Sequence, residues 1–203
     1  MNAPMHPMVQ DEDLARADAY AVLARVLFAA PDAGLLAALN TAQREGEGQL
    51  TASWNAMCSA AGDMATIADE YAELFVSIGK PQVSLFGSWY LTGFLMEKPL
   101  ALLRDDLAAM GLVRNEAEHD PEDHIAGELD VMRHLILSGS DSGLNQAQFF
   151  QRHLLPWYGD LCMALEQAPS ASFYRAVAQF MRVFLDMERD YFALQTDRDG
   201  GVK

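Results

Sequence analysis

From Phe173 to Phe192 the apolar residues return every three or four positions: Phe173, Val177, Phe180, Met181, Phe184, Leu185, Met187, Tyr191 and Phe192. That period gathers them on one side of a helix and on neither side of a strand, so the stretch is stable only with other elements packed along it. The same period recurs upstream. Leu14, Ala17, Ala21, Leu23, Ala24, Leu27 and Phe28 mark a helix that must end before Pro31, with Tyr20 inward. Leu35, Leu36 and Leu39 form a short helical stripe, Trp54, Met57, Cys58 and Ala61 another, and Gly62-Asp63 breaks the chain before a helix expected over Met64 to Ser77. Pro99 opens a further helix, with Leu100, Leu103, Leu107 and Met110 inward and Gly111 as its stop. Phe149 to Leu155 make a helix interrupted at Pro156, and Trp157 to Leu165 a shorter one.

No segment is both β-branched and alternating. The expectation is therefore all-α, a single-domain compact bundle of about nine or ten helices. Its 203 residues suffice for one good-sized core. Residues 1–10 and 196–203 are expected as flexible tails around a domain at 11–195, with a hinge expected near 113–120.

Charge narrows the class of partner. With 29 acidic and 14 basic residues the formal net charge is -15, which disfavours nucleic acid and anionic membrane surfaces and favours a basic partner. Cys58 and Cys162 sit in apolar helical patterns without CxxC or Cys/His spacing, as buried thiols of a reducing compartment do. The first residues carry no basic region followed by an apolar core, and no apolar run is long enough to span a bilayer, so a cytoplasmic location is expected.

Chemistry concentrates in one place, His119-Asp120-Pro121-Glu122-Asp123-His124, continuing to Glu128, Leu129 and Met132. Asp120 before Pro121 has the form of a helix N-cap and first helical residue, and Asp123 at the third helical position would reach back to the cap. Capping thus explains about half of the charge density; His124, with Glu128 four residues on, is left for recognition or for a hydrogen bond within the fold. A metal-dependent hydrolase built on the His119 to Glu128 cluster is an alternative, although the spacing matches no HExxH-type motif. A structural helical adaptor is a third reading. No phosphate-binding glycine loop and no GxSxG elbow is present.

Upstream, Tyr71-Ala72-Glu73-Leu74-Phe75 ends one helix, and an irregular aromatic segment contains Ser88-Trp89-Tyr90. Together with Asp120-Pro121-Glu122-Asp123-His124, these resemble the signatures of the cytoplasmic redox-enzyme maturation chaperones typified by TorD, DmsD and NarJ: Tyr-x-x-Leu-Phe, then Ser-x-Tyr, then Glu-Pro-x-Asp-His. Asp120 replaces the usual Glu, Ser77 stands where Gly is common, and the proline usual before the serine is missing. The resemblance implies an all-α chaperone without catalytic activity or cofactor. It would bind the twin-arginine signal peptide and apo catalytic subunit of a molybdoenzyme, of formate dehydrogenase or dimethyl sulfoxide/trimethylamine oxide reductase type, and delay export until cofactor is inserted. By the same resemblance Tyr71, Leu74, Phe75, Trp89, Tyr90, Pro121, Asp123 and His124 form the peptide groove, with Glu122 and Glu128 as arginine partners. Members of the family bind guanine nucleotide weakly and occur as monomers or helix-exchanged dimers; no residue pattern here bears on either property.

Overall fold

Helix α1 (Asp11–Phe28) buries residues all round: Ala17, Tyr20, Ala24 and Leu27, but also Arg16, Ala19, Leu23 and Val26. A helix covered on more than one side needs two neighbours. These are α7 (Ile125–Ser138) and α10 (Phe173–Gly200). The computed structural model describes residues 10–76, 80–113, 121–138 and 144–200, with side chains described as far as residue 195.

Between them the remaining helices form one bundle. α2 (Ala33–Thr41) leans on α3 (Gln49–Ala60); α3, α4 (Met64–Tyr71) and α9 (Tyr158–Gln167) pack against α10; α5 (Gly87–Thr92) packs on α6 (Lys98–Ala109); and α8 (Gln146–Phe149) adjoins α7. The described residues hold these ten α-helices and no strand, as the periodicity predicts. None of the described helices is long and apolar enough to cross a membrane. Asp32 and Asp63 cap α2 and α4 through backbone N–H groups of Leu35 and Thr66, and Asn145 with Gln148 forms a capping box on α8.

Two polar devices join helices distant in sequence. Buried Glu70 on α4 accepts the backbone N–H groups of Ser172, Phe173 and Tyr174 at 2.8, 3.1 and 2.8 Å. A carboxylate from another helix thus satisfies free donors at the α10 N-terminus, which begins at Phe173. Arg16 makes a two-pronged pair with Glu188, Nε to Oε1 and Nη2 to Oε2, both 2.7 Å, and the Tyr20 hydroxyl donates to the same Oε2 at 3.0 Å. Cys58 and Cys162 are buried free thiols.

Two helices widen into single π turns, Ala72–Val76 after α4 and Phe150–Leu154 after α8. The second has a covalent cause: Pro156 supplies no N–H, and the Leu155 N–H bonds back five residues to the Phe150 carbonyl at 2.8 Å. The first falls on the Tyr71 to Phe75 signature, where the Leu74 carbonyl turns to accept the Val83 N–H at 3.1 Å.

α7 starts at Ile125, not at Pro121. His119, Asp120 and Ser77 lie outside the described residues, as do 114–120, the greater part of the expected hinge. α10 runs to Gly200, past Thr196 where a tail is expected.

Candidate functional site

Backbone pairing explains why α7 starts late. Phe86 and His124 form an isolated antiparallel bridge, flanked by Gly87 N–H to Asp123 O and Ile125 N–H to Leu85 O, both 2.8 Å. Asp123 and His124 are therefore held by the Leu85–Gly87 segment and are unavailable to a helix. His124 takes the cap position instead: its carbonyl accepts from Gly127 and Glu128 at 2.9 and 3.2 Å, and its Nδ1 accepts the Ala126 N–H at 3.1 Å. Accepting at Nδ1 requires that nitrogen to be unprotonated, so the cap fixes both the ring and its charge pattern. The imidazole stands edge-on between Phe86, at 5.1 Å between centroids, and Phe28, at 6.4 Å.

Asp123 does not reach back to a helix cap. Its Oδ2 accepts both the backbone N–H of Ser88, at 2.8 Å, and the Ser88 hydroxyl, while its buried Oδ1 has no partner among the described residues. This clasp joins the Ser88-Trp89-Tyr90 signature to the Pro121 to His124 signature. Tyr90 is pinned in turn, its hydroxyl on the Ser84 carbonyl at 2.8 Å and its ring stacked 5.5 Å from Trp157.

Trp157 is the hub beneath the clasp. Fully buried, it donates its indole N–H to the His153 carbonyl at 2.6 Å and to Glu128 Oε2 at 3.1 Å. A Cβ on Gly87 would lie 3.0–3.3 Å from the Trp157 ring, so glycine is what lets α5 approach this closely. Glu128 is only 3% exposed. Burial pushes its carboxyl well above the usual range, the Trp157 hydrogen bond opposes this, and the nearby Asp123 carboxylate adds to it.

A cavity of about 800 Å³ opens beside His124. Pro121, Glu122, His124 and Glu128 line it, with Ala21, Ala24 and Phe28 of α1 and Leu103 and Leu107 of α6 as its apolar wall. Arg25, Asp130, Arg133 and His134 supply the remaining charged or titratable lining. Glu122 meets Arg104 Nη2 at 2.7 Å.

The other expected groove residues lie elsewhere. Tyr71, Leu74, Phe75, Trp89 and Tyr90 are absent from the cavity wall, and Asp123 lies behind it in the clasp. Leu74 is fully buried, and Tyr71 and Phe75 pack edge-on to one another and against Tyr174. Tyr71 still touches the site indirectly, donating its hydroxyl to the Phe28 carbonyl at 2.8 Å. Trp89 is half-buried with the Lys80 ammonium 4.9 Å above its ring. Among the described residues no cluster of His, Cys, Asp and Glu has the arrangement of a metal site.

Phe28, expected inward on the α1 stripe, is 50% exposed and faces the cavity. Its place as the last residue of α1, just before the Pro31 break, is the signal that it leaves the core. Trp157 and Gly87 carried no local signal for their joint role, since their contact spans α5 and the turn before α9.

The family model described as nitrate reductase delta subunit matches residues 33–163. Among curated proteins, Chaperone protein TorD of Vibrio atlanticus (strain LGP32) is 27% identical over 135 residues, 61% of this chain and 63% of that protein. Chaperone protein TorD of Vibrio cholerae serotype O1 (strain ATCC 39315 / El Tor Inaba N16961) is 28% identical over 133 residues, 61% of this chain and 60% of its own length. The chain thus spans less than two thirds of the length of these relatives. A crystal structure from Archaeoglobus fulgidus, described as that of a redox enzyme maturation protein, superposes with a TM-score of 0.55 at 18% identity, over 92% of this chain and 98% of that one, and shares the fold. The match to the family model over the α2 to α9 region, on an all-α bundle of this architecture, places the chain in the nitrate reductase delta subunit family, that of TorD and NarJ.

Proposed function

We propose that this protein is a cytoplasmic maturation chaperone that binds the twin-arginine signal peptide and apo catalytic subunit of a molybdoenzyme, assisting cofactor insertion and delaying export. The observation that carries the reading is the cavity beside His124, which combines an apolar wall with carboxylates in one space. A twin-arginine leader has the complementary chemistry, two guanidinium groups followed by an apolar, helix-forming run. Phe28, Leu103 and Leu107 would receive the apolar run. Glu122 already holds one guanidinium, that of Arg104, and Asp130 stands exposed on the same wall. The net charge of -15 steers a cationic segment toward the protein, and apolar burial retains it. His124 and the Ser88–Asp123 clasp hold the wall in shape. Tyr71, Leu74, Phe75, Trp89 and Tyr90, outside the cavity wall, complete the expected peptide-binding set, Tyr71 reaching the wall through its bond to the Phe28 carbonyl. Leu91, Phe94, Leu95 and Met96, exposed just beyond Tyr90, offer a second apolar surface for the unfolded client body.

Titration calorimetry of the whole protein with a synthetic twin-arginine leader tests the reading. The expected dissociation constant is of order micromolar, rising with salt, and about tenfold weaker or more when both arginines become glutamine. Absence of binding to any twin-arginine leader would overturn it.

A further inference from the structure

Glu128 is a poorly accommodated carboxyl. It is 3% exposed, a single described donor reaches it, and that donor, the Trp157 indole N–H, lies closer to the His153 carbonyl, at 2.6 Å against 3.1 Å. Asp123, which precedes the helix, takes two donors from Ser88 on one oxygen and leaves the other buried without a partner among the described residues. Two neighbouring buried carboxyls do not both ionise at little cost. The donors collect on Asp123, so the proton collects on Glu128. Yet Glu128 forms part of the wall of a cavity large enough to admit a guanidinium.

We propose that Glu128 is a proton-releasing receptor for an arginine side chain: neutral in the free protein, it gives its proton to solvent as the guanidinium arrives and becomes that group's anionic partner. The balance is simple. The Glu128 O–H bond breaks, its proton passes to water or buffer, and the carboxylate accepts N–H bonds from the arginine, so that the pair is neutral and the single positive charge brought by the arginine is balanced by the proton released. A resident anion would have to be buried and repelled by Asp123 in the free protein; a carboxylate formed on binding is paired at once. The cavity therefore discriminates a guanidinium from an apolar side chain without keeping a bare charge in its wall. The inference rests on the reading of the cavity as a twin-arginine peptide site.

Other groups share this wall and must be separated from Glu128. α1 contributes Arg25; the segment leading into α7 contributes Glu122, paired with Arg104 of α6, and His124; α7 itself contributes Asp130, Arg133 and His134. Behind the wall, Trp157 meets Glu128 from the buried side, and His153, which accepts from the same indole N–H through its carbonyl, turns its ring to Asp106 through Nε2 at 2.8 Å. A comparison of wild type with Glu128→Gln isolates the one group, because glutamine keeps the shape and the acceptor for Trp157 and leaves every other group in place.

The test is calorimetric titration of a synthetic twin-arginine leader into each protein in buffers of different ionisation enthalpy, repeated from about pH 5.5 to 7.5, which counts protons released. Wild type is expected to release up to about one proton more than Glu128→Gln, and its affinity to rise up to about tenfold per pH unit relative to the variant's while Glu128 is protonated in the free protein. Equal proton counts and parallel pH profiles, with the peptide bound by wild type, would overturn this inference and leave the peptide site standing. Failure of wild type to bind the peptide at all would overturn both.

Discussion

Ser88 and Asp123 are joined across 35 residues of sequence by two hydrogen bonds to one carboxylate oxygen, from the Ser88 backbone N–H at 2.8 Å and from its hydroxyl. Both residues are buried, so the bond partners cannot turn to water when one is removed. Ser88→Ala removes the hydroxyl alone and is expected to cost about 1 kcal/mol; Asp123→Ala leaves both Ser88 donors unpaired and is expected to cost about 2–3 kcal/mol. Because the two share one contact, the double variant should be less destabilised than the sum by about 1 kcal/mol, read from urea midpoints in a double-mutant cycle. Strict additivity would show that the clasp contributes no coupling.

That contact also marks what could be read from the sequence and what could not. The all-α fold and the position of nearly every helix follow from apolar period and from breaks at Pro31, Gly62-Asp63 and Gly111, which are local properties of the chain. The start of α7 did not follow. Asp-Pro has a good cap form, but the backbone around Asp123 and His124 is taken by Leu85 and Gly87, a pairing that local chemistry cannot show. The site divides in the same way. Of the signature residues, Pro121, Glu122, His124 and Glu128 line the cavity and Tyr71, Leu74, Trp89 and Tyr90 do not, a separation that depends on how α1 and α6 supply the apolar wall. Trp157 and the Arg16–Glu188 pair, partners across whole helices, stayed invisible for the same reason.

Gly87→Ala should strain the contact on which Trp157 rests. The added Cβ would meet three indole atoms at 3.0–3.3 Å, and the ring is held by Tyr90 on one side and by its N–H bonds below. Overpacking of this kind costs about 1–3 kcal/mol. A lowered melting temperature together with a shifted tryptophan emission is the expected result; unchanged values of both would show that the indole can move aside freely.

Arg16 and Glu188 link α1 to α10 in a site where both side chains are almost fully buried. Arg16→Met leaves Glu188 a buried charge with the Tyr20 hydroxyl as its remaining described donor and is expected to cost about 3–5 kcal/mol, whereas Glu188→Leu leaves Arg16 paired with Asp13 at 2.8 Å and should cost less. Replacing both with apolar groups of similar size removes that charge, and the double variant should recover most of the loss. Chemical denaturation of the three variants distinguishes this from a simple packing role, in which the double variant would be the least stable of all.

Glu128 makes the protein's stability depend on pH in a direction opposite to that of an ordinary carboxylate. Burial raises its folded-state pKa, so between the ordinary glutamate value of about 4.3 and that raised value the folded state holds a proton that the unfolded chain has lost. Its contribution to stability is thus fully present below the unfolded value and is lost as pH rises through the folded one. Asp106 works the other way: burial opposes ionisation, but the bonds from His153 and Arg152 prevail and hold it low, so its contribution is lost only on acidification. Glu128→Gln keeps the Trp157 acceptor and removes the titration. Its melting temperature relative to wild type should therefore climb steadily from acidic to mildly alkaline pH, with the Asp106 contribution common to both proteins. A difference that stays flat across that range would mean that Glu128 ionises in the fold as readily as in the unfolded chain.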